Sequence, residues 1–147
     1  MACGGAGGGT VTPVGKQTLS FTDHGSTQQS RREDPGLVVS ADVRQTGLAQ
    51  LAANASSGRL FIAVFQGMQS TGGYSVQVEG VERVADRLIV HARFNAPPPG
   101  SLNIQVLTSP AQLVSVDRQA AAGTREAVLV DQTNAEIARA PVPQSQP

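Results

Sequence analysis

Acid–base chemistry near neutral pH would fall, in this chain of 147 residues, to its two histidines, His24 and His91. Hydrolysis needs a nucleophile, a base within hydrogen-bond reach and a group that orients the base. His24 stands in Asp23-His24-Gly25, where a carboxylate beside an imidazole could serve acid–base or metal chemistry. The same three residues also read as a turn, because Asp and Gly favour backbone reversal and no second histidine is near in sequence. His91 lies between Val90 and Ala92, on the same side as Arg93, the position of a solvated histidine on a strand face. Ser75, His91 and Asp86 can be written as a triad, but a serine-rich chain offers such combinations by chance. Neither a nucleophile elbow nor a His-Glu-x-x-His pattern supports it. The runs AGGG and STGG lack the Lys-Ser/Thr of a phosphate loop. One cysteine, Cys3, leaves no internal disulfide and no Cys-based zinc site. The expectation is a protein with no catalytic residues, no cofactor and no metal, and so not an enzyme.

Composition narrows the partners. Hydrophobic residues make up 39% and charged residues 15%, enough for a modest core; aromatics at 3% and the absence of Trp make that core aliphatic. Formal net charge is zero, so no basic stripe could hold a phosphate backbone, and few rings could stack on bases. Nucleic acid is therefore not an expected partner. No run approaches the roughly 18 apolar residues that span a bilayer. Met1-Ala2-Cys3-Gly4-Gly5 instead resembles the join of a bacterial lipoprotein signal, a small residue ahead of a cysteine that becomes acylated. Lipidation at Cys3 would make the protein an extracytoplasmic, membrane-anchored lipoprotein that meets the membrane only through that anchor. The alternative is an incidental Cys in a glycine tail.

The elements that would position a site are mostly strands. Residues 1–16 read as a flexible Gly-rich tether, 17–139 as a single β-rich domain and 140–147 as a disordered tail. Residues 18–22 alternate as a first strand closed by the Asp-His-Gly turn. Leu37–Val39 lead to Ser40 or Asp42 as the cap of one short helix over about 42–54, weakened by Gly47. Leu60–Phe65 is apolar on both faces, a central strand covered from both sides. Tyr74, Val76 and Val78 face one way, and Leu88, Val90, Ala92 and Phe94 repeat the pattern after a hairpin at Val84–Arg87. Pro97-Pro98-Pro99-Gly100 is a stiff connector. Leu102, Ile104 and Val106 alternate as another strand, Leu113–Val116 form a shorter one, and Ala127–Asp131 a late one that Gln132-Thr133-Asn134 turns back. Short strands with frequent turns predict a compact, mainly β domain, mostly antiparallel, of sandwich or barrel-like form.

Between two of these strands lies the corner Gly67…Thr71-Gly72-Gly73-Tyr74. Adjacent glycines permit the positive φ angles of a tight reversal, Thr71 can bond local backbone, and Tyr74 can bury its ring while its hydroxyl finds a polar partner. The corner is either a structural lock or a loop presented to another protein. IAVFQGMQSTGGYSVQVEGV, the proline cluster and QVLTSPAQLVSVDR together resemble the C-terminal domain of the PrcB-type protease-complex subunit family over about residues 59–118. The family's corner maps to Gly67, Thr71, Gly72, Gly73 and Tyr74, and its T-x-P step to Thr108-Ser109-Pro110. Ala111 stands where the family leads one to expect an aromatic. The resemblance implies a non-catalytic, often lipid-anchored partner of a surface protease, acting by protein–protein contact. TGGY is also similar to the Thr-Gly-Tyr loop of chagasin-like protease inhibitors. Direct inhibition and a purely structural envelope role stand as the alternatives.

Overall fold

A computed structural model of the protein describes residues 16–52, 58–102 and 105–143. Cys3 and Ile104 lie outside them. The described chain builds two packed sheets and no closed barrel. The first sheet runs in the order β9-β8-β6-β5-β1 and the second in the order β2-β7-β4-β3. In chain order these strands are β1 (Lys16–Leu19), β2 (Phe21–Thr27), β3 (Gly36–Ser40), β4 (Arg59–Phe65), β5 (Ser75–Val84), β6 (Arg87–Asn95), β7 (Ala111–Asp117), β8 (Glu126–Val130) and β9 (Glu136–Pro141). Every ladder is antiparallel except that of β6 with β8. The mainly β sandwich expected from the turn spacing is the fold observed.

The core lies between the sheets. Leu60, Ile62 and Val64 of β4 with Val114 and Val116 of β7 face Val76, Val78, Val81, Leu88, Val90 and Leu129 of the first sheet, all buried. The outer side of β4 and β7 is apolar too. Phe61, Ala63, Phe65, Ala111 and Leu113 form a second cluster with Leu48 and Ala52. Leu48 comes from the segment between β3 and β4, which covers that outer face. This explains why β4 reads as apolar on both sides: the odd and even positions serve two cores.

Several expectations are corrected. The segment after β3 is not one helix but two 3₁₀ turns, Val43–Thr46 and Ala49–Leu51. Asp42 caps the first as expected, its carboxylate accepting from the Arg44 backbone N–H at 3.0 Å. Gly47, at φ +83°, then takes the left-handed conformation that ends a helix. The predicted strand over 18–22 is split at Ser20, so that β1 joins one sheet and β2 the other. Asp23-His24-Gly25 is not a closing turn; it lies inside β2, where the register slips by one residue between Asp23 and Gly25. A second slip between Val78 and Gly80 keeps Val81 facing inward. The strand expected over Leu102–Val106 carries no ladder at its described residues, and Leu102 is fully exposed; alternation alone does not make a strand where no neighbour supplies the pairing. Leu113–Val116 is part of a longer, internal strand with neighbours on both sides. At the C-terminus β9 continues through Pro141 and Val142 is buried, its N–H donating to the Arg125 carbonyl, so these residues belong to the sheet and not to a tail.

Candidate functional site

β4 ends in one sheet and β5 begins in the other, so the chain from Gln66 to Tyr74 must cross the end of the sandwich. It does so in contact with two other segments. The Gln66 N–H donates to the Pro110 carbonyl at 2.9 Å, and the Met68 N–H to the Glu33 carbonyl at 2.9 Å. Gln69 and Thr108 exchange a pair of backbone hydrogen bonds at 2.7 and 2.9 Å. The Thr108 hydroxyl donates to the Thr71 carbonyl at 3.0 Å, and Gln28 Nε2 donates to the Tyr74 carbonyl at 3.2 Å. Ser109 joins the remaining segment: its N–H donates to the Gln28 carbonyl, its carbonyl accepts from Ser30, and its hydroxyl accepts from the Arg31 N–H at 2.7 Å. Three loops, 28–35, 66–74 and 108–110, are thus laced through their backbones.

The individual corner residues are not equivalent. Gly67 is buried at φ +91°, and a Cβ there would lie 2.9 Å from the Pro35 nitrogen and 3.0 Å from the Glu33 carbonyl oxygen. Gly73 is exposed and also at φ +91°, whereas Gly72 does not have positive φ. The reversal therefore uses Gly67 and Gly73, separated in sequence, and not the adjacent pair. The Thr71 hydroxyl donates to the Gly72 carbonyl at 3.0 Å. Tyr74 is half-buried, and Pro110 is fully buried. Ala111 pairs with Phe65 across the β4–β7 ladder, and both belong to the outer cluster, so the small residue leaves space for that ring.

The histidines are engaged elsewhere. His91 Nε2 lies 2.7 Å from Glu82 Oε1 on the outer face of the first sheet, beside an Arg93–Glu79 ion pair at 3.1 Å. Ser75 pairs with Asn95 and Asp86 occupies the β5–β6 turn. Along β6 these positions lie about 13 Å and about 16 Å from His91, on opposite sides of it. Ser75, His91 and Asp86 are not brought together. A serine–histidine contact does occur at a place the sequence did not suggest: His24 Nε2 lies 2.8 Å from Ser115 Oγ, and the His24 ring is 5.7 Å from that of Phe61. Ser115 is completely buried, and Arg59 donates to its Oγ at 3.0 Å and to its carbonyl at 2.9 Å. Its hydroxyl is buried and held by the Arg59 guanidinium, which suits a strand-linking polar cluster. Among the described residues no group of three or more His, Cys, Asp or Glu side chains could hold a metal ion.

That cluster has a titration consequence. Burial first, then the Arg59 guanidinium, hold His24 below the ordinary histidine range, against an opposite pull from Asp23. A folded pKa below the unfolded one means that the unfolded chain binds more protons, so this part of the stability is present above about pH 6.5 and is lost as pH falls through the folded value. The melting temperature is expected to drop as the pH is lowered from 7 into that window, and His24→Gln should remove that component. Asp42, Asp131 and Glu136, held low by hydrogen bonds from Arg44, Thr133 and Arg139 respectively, lose theirs only below the usual carboxylate range. An identical pH profile in His24→Gln would contradict the assignment.

From β4 the chain runs over the corner, through the β5–β6 hairpin and across the Gln69–Thr108 bridge into β7. Residues 60–117 match the PrcB C-terminal family model. No curated protein and no solved structure matches the chain. The PrcB C-terminal match starts one residue into β4 and ends with the last residue of β7, covering under half of the chain. It contains two of the three laced loops and links the segment to a protease-complex-associated subunit family. The third loop, which supplies Glu33 and Pro35 against Gly67, lies outside the PrcB C-terminal stretch, so the corner is completed by residues the family match does not include.

Proposed function

We propose that this protein is a non-catalytic, extracytoplasmic accessory subunit or regulator of a surface protease complex, tethered through a lipid on Cys3 and acting by protein–protein contact. The observation that carries the reading is the PrcB C-terminal match over residues 60–117, which contains two of the three loops of the laced corner. The surface there supports it. The exposed large hydrophobics among the described residues are Met68, Leu102, Val106 and Leu107. Met68 and Leu107 directly flank the Gln69–Thr108 bridge, and the other two lie on the connector that leads to it. Two exposed apolar side chains that flank one backbone bridge, as Met68 and Leu107 do, suit a contact surface for another protein. A backbone locked by reciprocal hydrogen bonds presents them with little ordering to complete on binding. The testing experiment is purification of the full chain from its host envelope: diacylglycerol on Cys3 is expected in its mass, and a protease among the proteins retained with it. An unmodified thiol would remove the anchor, and retention of no protease would remove the partner.

A further inference from the structure

On the side away from β6, β5 is covered along less than half its length. β1 pairs with Val81–Val84 and the chain then leaves at Ser20 for the other sheet, so residues 75–80 have a strand neighbour only in β6. The uncovered edge is not bare. The Val78 N–H points away from β6 and donates to Oε1 of Gln112, a buried side chain reaching across from β7 in the opposite sheet. A side-chain carboxamide carbonyl is chemically the same acceptor as a peptide carbonyl. Gln112 therefore holds the position that the C=O of an adjoining strand would take. Alternate residues of an antiparallel strand turn both N–H and C=O to the same side, so Val76 presents its pair to this side as well.

A groove of about 240 Å³ opens at this edge, lined by Asp23, Gly25 and Ser26 of β2, Ser75, Val76 and Gln77 of β5, and Gln112. Along β5 the open edge runs between Val81, where β1 pairs, and Tyr74, whose carbonyl accepts from Gln28 Nε2 in the corner. The length between these stops takes about four residues of extended chain. Asp23 is its one charged side chain, with one oxygen bonded to the Gly25 N–H at 2.8 Å.

We propose that residues 75–79 are a docking edge for a short extended segment of a partner protein, about four residues long, neutral or basic in its side chains, which adds to β5 as a further strand. The proposal rests on the reading above that the domain works by protein contact, and states where the partner's backbone pairs. A proline at a residue facing β5 would lack the required N–H, and an acidic side chain would meet Asp23.

The test uses the full chain and random peptides displayed on phage, the enriched sequences then being synthesised and titrated into isotopically labelled protein. Binding is expected to shift the amide signals of Val76, Val78 and Ser26 and to slow hydrogen exchange at Val76. N-methylation of the peptide is expected to weaken binding by about tenfold at alternate residues and to have little effect at those between. Ser26→Arg, at an exposed position, should weaken it similarly with the melting temperature unchanged. Failure of any peptide to enrich, equal enrichment on Ser26→Arg, tolerance of N-methylation at every residue, or shifts confined to other surfaces would each overturn the proposal and leave Gln112 as an edge plug only. The two readings fail separately. Protease still retained from the envelope by Ser26→Arg would sink the docking edge alone, whereas peptide docking with no protease retained would sink the accessory-subunit reading alone.

Discussion

Gly67→Ala is expected to lower the melting temperature by about 10 °C or more. Two penalties fall on one methyl group. At φ +91° an L-residue is strained by about 1–2 kcal/mol. In addition, the new Cβ would approach the Pro35 nitrogen to 2.9 Å and the Glu33 oxygen to 3.0 Å. Those are backbone atoms of a loop fixed by its own hydrogen bonds, including the Met68 N–H to Glu33 carbonyl bond at 2.9 Å. They cannot swing aside as a side chain would, and overpacking of this kind adds roughly 1–3 kcal/mol. Together these are a large part of the 5–15 kcal/mol that typically separates folded from unfolded chains. Gly73→Ala has similar φ strain, but at an exposed position, and should have a smaller effect. Thermal melts of the two variants check this directly; equal shifts would mean that the loop contact at Gly67 does not constrain the corner.

Leu48→Ala should be of comparable size. Leu48 is completely buried and packs with Phe61, Ala63, Phe65 and Leu113 on the outer face of the second sheet. It stands between two 3₁₀ turns of four and three residues, too short to be stable on their own. The segment is therefore held chiefly by this side chain and its neighbours Ala52, Val43 and Leu51. Truncation to Ala loses the transfer energy of the removed carbons and leaves a cavity, about 2–5 kcal/mol in similar sites. The expected result in denaturant unfolding is a loss in that range, with the amides of residues 43–51 becoming the first in the neighbourhood to exchange. A loss under about 1 kcal/mol would show that the outer cluster is not a true second core.

How far the sequence disclosed this architecture depended on whether the relevant forces were local. β4 was legible because Leu60–Phe65 is apolar at every position, and burial on two faces needs that pattern. The β5–β6 hairpin was legible because its alternation and its short loop agree. The turn into β9 was legible because Asn134 tolerates positive φ, here +67°. β1 and β2 were not separable, since one continuous alternation gives no sign that its halves join different sheets at Ser20. The reach of β7 was hidden by Gln112, and the burial of Ser115 within the expected strand was hidden too, because both are polar residues that look solvent-facing. Both are buried because their partners, Val78 N–H for one and His24 with Arg59 for the other, come from distant parts of the chain. Leu102 and Val106 misled for the opposite reason: their alternation is real, but no strand pairs with them and both side chains are exposed. At the corner, the residue types were visible and their roles were not. Gly67 matters through Glu33 and Pro35, which no local pattern connects to it.

The proposed binding of a protease-complex partner places that contact on the apolar rim of the laced corner, at Met68 and Leu107. The most direct measurement compares what the native chain and Met68→Asp retain from the host envelope, with melting temperature as the folding control. Met68 is 38% exposed, so a charge there should leave the fold intact while opposing burial against a partner. The expected result is that the native chain retains a protease and that Met68→Asp loses it at unchanged melting temperature. Equal retention by both would contradict it.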